Sequence, residues 1–362
     1  TSWVWARAFP ALRAPVREES LMKQPTKEGE QMNESILITG ANAGLGKETA
    51  RQFALKPEAR RVILFCRNRA RAEAAKKELE EQTGKRIFAI VLGDVTDAPS
   101  VRRAVEEIKE PIDAIVLNAG GVIGKTAARS TPSGMNQLAA TNILGHVILV
   151  DELIRRDKIR KAVLAVSAEA VPGVKMLGVK RVSMRTSSVE EFTDVLDGSY
   201  FGKKFVALQA YAYVKYAETL WALGMARKYP KLKFMAVSPG NTKGTNAPDS
   251  LPPPMRFMLN YVMMPIVFPL MGGMVHTLDV GAKRFIDALS DERYRSGVFY
   301  ASPEGKLSGD MVDQSTFFPD LNNASFQENA NEAIHRFIAS SFGTDDSGQF
   351  FASAQGKLSG PK

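Results

Sequence analysis

The stretch ESILITGANAGLGKETARQFAL, residues 34–55, decides the fold. An apolar run from Ile36 to Ile38 ends in a glycine-rich segment, and Ala50, Phe53 and Ala54 then recur at helical spacing. The order is strand, turn, helix. Gly40, Gly44 and Gly46 stand where a backbone free of Cβ atoms can turn sharply and approach a phosphate at the N-terminus of the following helix.

The same alternation continues outward. RRVILFCR (60–67) and DAIVLNAG (113–120) are contiguous apolar runs, as expected for strands of a parallel sheet covered on both faces. Further strands are expected at 86–95, 161–167, 232–240 and 297–301, with helices at 69–82, 99–109, around 134–156 and near 209–227. Strands separated by helices of this length predict a doubly wound α/β sheet in one domain. The rhythm breaks at 168–208 and 241–275, which are expected as substrate-facing loops.

Composition narrows the function classes. With 44% hydrophobic and 24% charged residues, the 362-residue chain is expected to fold. Its net charge of +9 would suit an anionic ligand, a membrane surface or nucleic acid, but the basic residues form no long run, and no nucleic-acid partner is expected. The single cysteine, Cys66, excludes an internal disulfide and fits a reducing compartment. His146, His276 and His335 are too widely spaced for a zinc motif, and no metal is expected.

Residues 1–31 are set apart as an N-terminal extension, expected to be disordered, targeting or expression-derived: Arg7, Arg13 and Arg17 occur without an acid among aromatic residues, and Met22 and Met32 are alternative starts. A cytoplasmic location is expected, or an organelle if this segment is a presequence. The apolar stretch 255–275 is broken by Arg256, Asn260, Pro265, Pro269 and the Gly272-Gly273 pair, so it reads as a Met-rich substrate flap or a peripheral membrane contact, not a spanning helix. FYASPEGKLSG (299–309) recurs as FFASAQGKLSG (350–360), a local duplication with no functional reading.

Several residues carry chemistry. Tyr211 and Lys215 lie four apart on one helix face and can act on one ligand, while Tyr213 points elsewhere. A phenol with an ordinary pKa near ~10 needs a neighbouring ammonium to serve as a proton shuttle, and Lys215 supplies one. Ser167 ends the fifth strand, where strand C-termini face the ligand crevice. At the end of the second strand the chain presents Arg67, not the carboxylate that would accept a ribose 2′-hydroxyl; a guanidinium there can pair with a 2′-phosphate, with Lys47 or Asn42 adding to the pocket.

The TGxxxGxG form of Thr39 to Gly46 resembles the short-chain dehydrogenase/reductase family. Landmarks in that family's order follow over residues 34–305: Asp94-Val95, Asn118-Ala119-Gly120, Asn142 within TNILGH, Tyr211 with Lys215, and Pro239-Gly240 with Thr242. The resemblance implies a Rossmann-type catalytic domain over 32–310, with a C-terminal extension over 311–362. It implies NADP(H) held by Gly40, Asn42, Gly44, Leu45, Gly46, Arg67, Asp94, Val95, Asn118, Ala119, Gly120, Tyr211, Lys215, Pro239, Gly240 and Thr242. In that reading Asp94 meets the adenine amino group, Pro239 to Thr242 close over the nicotinamide, and Lys215 holds the ribose. Tyr211 is then the general acid/base, Ser167 holds the substrate oxygen, and Asn142 anchors a water that links Lys215 to solvent.

CRN (66–68), LNAGG (117–121) and NILGH (142–146) look most like the retinol-dehydrogenase and protochlorophyllide-reductase branch. The family often has two serines at the end of this strand, whereas the chain reads Val166-Ser167-Ala168. An apolar carbonyl or alcohol substrate is expected, and a homo-oligomer is left open. The alternatives are a non-catalytic NADP(H)-binding sensor or scaffold and a light-dependent pigment reductase.

Overall fold

The computed structural model describes residues 33–122, 126–175, 178–203, 205–243 and 275–342. The N-terminal extension, the Met-rich stretch 255–274 and the second copy of the near-repeat lie outside them. Residues β1 (Ser35–Thr39), α1 (Gly44–Leu55), β2 (Arg61–Cys66), α2 (Arg69–Thr83), β3 (Phe88–Leu92), α3 (Ala98–Glu107) and β4 (Ile112–Leu117) form the first half. The second half contains α4 (Gln137–Arg155), β5 (Ile159–Val166), α5 (Val189–Asp197), α6 (Ala207–Lys228) and β6 (Lys233–Val237). It is completed by α7 (Leu278–Ser290), β7 (Phe299–Ala301), β8 (Val312–Asp313) and α8 (Ala324–Phe342).

The strands form one eight-stranded sheet in the order β3-β2-β1-β4-β5-β6-β7-β8. Among the described strands of this sheet only the β7–β8 pairing is antiparallel. Alternate strand residues feed two cores, which explains the uninterrupted apolar runs. Leu37, Ile63, Ile115 and Val163 pack with α3, α4, α6 and α8 on one face. Ile36, Val62, Val116 and Leu164 pack with α1, α2 and α7 on the other. The strand order reverses between β1 and β4, so the loops leaving these strands diverge and open a crevice at their carboxyl ends.

Two segments carry more structure than the sequence alone defines. The interval 168–208 is more than a loop, since it contains α5, whose amphipathic sequence buries Phe192, Val195 and Leu196. The extension past residue 310 is structural through residue 342: β8 adds a strand, and α8 places Ala330, Ala333, Ile334 and Ile338 in the main core. Among the described residues α4 alone has the length and apolarity of a membrane-crossing helix, and it is largely buried, as a core helix is.

Candidate active site

The turn between β1 and α1 takes the conformation that its glycines permit. Gly40 (φ +68°) and Gly44 (φ +54°) are left-handed, and a Cβ on Gly46 would lie 2.6 Å from the Gly40 carbonyl oxygen. Ala43 at the N-cap of α1 offers no side-chain cap, and the first turn holds no acid. The opening amides of α1 are therefore left for an anion, with the helix dipole favouring it.

At the carboxyl end of β2, exposed Arg67 borders the same cleft, joined by Arg71 one turn into α2, a residue that sequence reasoning missed. Their spacing was the available signal. Asn68 caps α2 by accepting from the Arg71 amide at 2.9 Å, which fixes this corner. Asn42 lines the pocket, whereas Lys47 is paired with Glu78 at 2.8 Å and is not part of the lining. Burial pushes the Cys66 thiol up to about 11, so it is an unreactive neighbour. Asp94 accepts from the Thr96 amide and hydroxyl at 2.9 and 2.7 Å, and with Val95 it forms the cleft wall.

The Asn118-Ala119-Gly120 segment binds the ends of β4 and β1 together. The amides of Asn118 and Ala119 donate to Thr39 Oγ1 at 2.8 and 2.9 Å, and Asn118 Nδ2 donates to the Thr39 carbonyl at 2.9 Å. Asn142 lies behind this wall, in a π-helical turn (Ala140–Leu144) within α4. Its carboxamide accepts from the Gly121 amide at 2.9 Å and donates to the carbonyls of Gly121 and Leu138 at 3.1 and 2.8 Å. Both amide hydrogens are used, so Asn142 clamps the loop after β4, where the sequence suggested a water anchor. Neither Asn142 nor Gly46 lines the cleft.

Tyr211 and Lys215 are brought together by α6, with the Lys215 Nζ 5.9 Å from the Tyr211 ring centroid. Both border the cleft. Lys215 donates to the Val166 carbonyl at 2.8 Å and to Glu218 Oε2 at 2.6 Å, which leaves one of its three hydrogens uncommitted. Burial disfavours the ammonium, yet Glu218 holds Lys215 above its ordinary range. Burial also pushes the Tyr211 phenol above its ordinary range; Lys215 pulls it down and Glu218 pushes it up.

Ser167 differs from its expected role. The residue borders the cleft, but its hydroxyl lies 2.7 Å from Thr219 Oγ1, and Thr219 donates to the Lys215 carbonyl at 2.7 Å. Thr219 has spent its only hydrogen, so Ser167 is the donor, and its hydroxyl faces α6. The next residue, where a second serine would stand, is Ala168.

Pro239, Gly240 and Thr242 close the opposite wall. Gly240 is left-handed (φ +76°), and a Cβ there would meet His276 Nδ1 at 2.8 Å. The Gly309 amide donates to His276 Nε2 at 3.2 Å, so Nδ1 carries the hydrogen given to the Pro239 carbonyl, also at 3.2 Å. Buried Arg284 holds the Ser238 carbonyl at 3.0 Å and Glu169 at 3.4 Å, stiffening this wall from α7.

Together these residues enclose a cleft of about 930 Å³. That is the upper part of the roughly 300–1,000 Å³ range of cofactor and ligand sites. An uncapped helix N-terminus, a glycine at φ +54° with open space where its Cβ would be, and two guanidinium groups fit a dinucleotide that carries an extra phosphate.

Residues 34–174 match the model of the short chain dehydrogenase family, and the chain has a Rossmann-type fold, a mostly parallel sheet flanked by helices. It is 27% identical over 210 residues to dehydrogenase/reductase SDR family member 12 of Bos taurus and 28% identical over 210 residues to retinol dehydrogenase 12 of the same organism. In each case the match covers 57% of this chain and 60% of the relative. The chain thus spans about 60% of the length of these curated relatives. A short chain dehydrogenase from Burkholderia cenocepacia, solved in complex with NADP, shares the fold with a TM-score of 0.53 and 18% identity, covering 75% of this chain and 96% of that one. Retinol dehydrogenase 12 stands beside differently named relatives at similar identity, so the likeness is to the family and not to one branch.

Proposed function

We propose that the protein is an NADP(H)-dependent oxidoreductase that interconverts a carbonyl and an alcohol, with Tyr211 as the general acid/base. The observation that carries this reading is the placement of Tyr211 and Lys215 in one cleft with the glycine turn and the Pro239-Gly240 wall. NADPH, when bound, supplies the hydride. The α1 N-terminus would hold its pyrophosphate, Arg67 and Arg71 its 2′-phosphate, and the free hydrogen of Lys215 its ribose. Among the described residues the Tyr211 hydroxyl has no hydrogen-bond partner, so it is available to the substrate oxygen. Its raised pKa keeps it protonated at neutral pH, the form that donates to a nascent alkoxide.

An apolar substrate of the retinoid kind agrees with the branch resemblance of CRN, LNAGG and NILGH. The engagement of Ser167 with Thr219 favours a second reading, a nucleotide-binding protein without turnover. Screening purified protein for NADPH oxidation with aldehydes, ketones, retinoids and steroids separates the two. Turnover that depends on Tyr211 supports the enzyme; tight NADPH binding with no turnover on any of them supports the sensor.

A further inference from the structure

The proposed mechanism leaves Glu218 unexplained. This carboxylate is 1% exposed, at the third position after Lys215 on the buried face of α6. An uncompensated charge there would be strongly unfavourable, so its partners must account for it. Oε2 accepts from Lys215 at 2.6 Å, and Oε1 lies 3.1 Å from Nδ1 of His146, itself 1% exposed on α4. The other ring nitrogen, Nε2, lies 3.1 Å from Thr39 Oγ1 at the end of β1.

The proton positions follow from counting. Thr39 Oγ1 already accepts from the amides of Asn118 and Ala119, which fills both lone pairs. Its single hydrogen must go to His146 Nε2. A neutral imidazole with Nε2 as acceptor carries its hydrogen on Nδ1, which then donates to Glu218 Oε1. Glu218 therefore receives one hydrogen at each oxygen and is ionised. An unbroken chain of hydrogen bonds joins Lys215 to the backbone amides of the turn after β4.

We propose that Glu218 is a positioning residue: it fixes Lys215 beside Tyr211 and, through a single tautomer of His146, fastens the helix bearing both to the nucleotide-binding end of β1. The consequence for turnover rests on the oxidoreductase reading above. Glu218 and Lys215 are the charges acting on Tyr211 from its own helix; His146 from α4 and Thr39 from β1 are neutral in this arrangement, and Glu169 beyond β5 is paired with Arg284 of α7. Removing the Glu218 charge makes both Tyr211 and Lys215 lose their protons more readily. Glutamine cannot replace it, because an amide has one accepting and one donating end while both neighbours are donors.

Two measurements test this. Nitrogen-15 NMR of histidine-labelled wild-type protein at neutral pH, assigned with a His146→Gln sample, should show the Nδ1–H tautomer for His146; an imidazolium or the Nε2–H tautomer overturns the arrangement. In the carbonyl-reducing direction, the alkaline limb of the kcat profile of Glu218→Gln should move down by about one pH unit or more. A limb that coincides with the parent's overturns the positioning role, since a merely structural loss would lower the rate without moving it. If the parent reduces no carbonyl, the oxidoreductase reading fails, while the tautomer measurement on the wild-type protein still decides the network.

Discussion

Ser167 Oγ and Thr219 Oγ1 lie 2.7 Å apart in the interface between β5 and α6, with Ser167 the donor. This hydrogen bond turns a buried residue bordering the cleft into a clasp for α6. Ser167→Ala should then lower stability by about 0.5–1.5 kcal/mol, the usual worth of one such bond, and leave kcat within about tenfold of the parent. Urea unfolding beside steady-state rates checks both. A loss of a thousandfold or more in kcat would return Ser167 to the substrate.

Tyr211→Phe removes one oxygen and keeps the ring. The cleft and the Lys215 network do not use that oxygen, so NADPH affinity should be nearly unchanged. Proton transfer should be lost, with kcat falling by about a hundred- to ten-thousandfold. Lys215→Met should be at least as harmful and should also weaken NADPH binding, because it strips the buried Glu218 of its counter-charge as well as removing the proposed ribose contact. Cofactor fluorescence titration next to turnover distinguishes the two variants.

The framework of the fold was legible because both sheet faces are covered, so β1, β2 and β4 read as plain apolar runs. The helix α8 was not, since its apolar positions lie beyond the last strand motif and only the covered face of α6 shows what they bury. Most of the cleft was also legible, as its glycines and the Tyr211–Lys215 pair have local spacing rules. The roles that shifted depend on partners far along the chain. Ser167 meets Thr219, 52 residues on, and His146 meets Glu218, 72 residues on. No periodicity reports such pairs.

Glu191 offers a test of stability against pH. It is 4% exposed, and burial alone would raise its pKa, but the amides of Arg185, Thr186 and Ser187 and the Thr186 hydroxyl bind the carboxylate and bring it down to about 2. A pKa depressed in the folded state contributes stability that is present above the unfolded value of 4.5 and is lost as pH falls toward 2. Glu191→Gln should remove this contribution at neutral pH and flatten the decline between those limits. Thermal melting of both proteins across that window is the measurement; parallel curves would show that the carboxylate is not acting this way.

The cofactor corner gives the last prediction. Arg67 is exposed and Arg71 lies one helical turn beyond it, both on the cleft wall, and a 2′-phosphate there would meet two guanidinium groups. Charge-assisted bonds of this kind contribute about 1.5–3 kcal/mol each, equivalent to roughly ten- to hundredfold in affinity. Arg67→Asp should weaken NADPH by at least that factor, because the carboxylate repels the phosphate, and should strengthen NADH, because it can accept from a ribose 2′-hydroxyl. Arg71→Ala should weaken NADPH without improving NADH, since it removes a cation and supplies no acceptor. Asn68 caps α2 independently of either guanidinium, so both variants should keep the corner folded. Dissociation constants for the two cofactors across these proteins decide the matter: if NADPH and NADH affinities stay where they were in Arg67→Asp, the guanidinium does not read the ribose, and selectivity must arise elsewhere in the cleft.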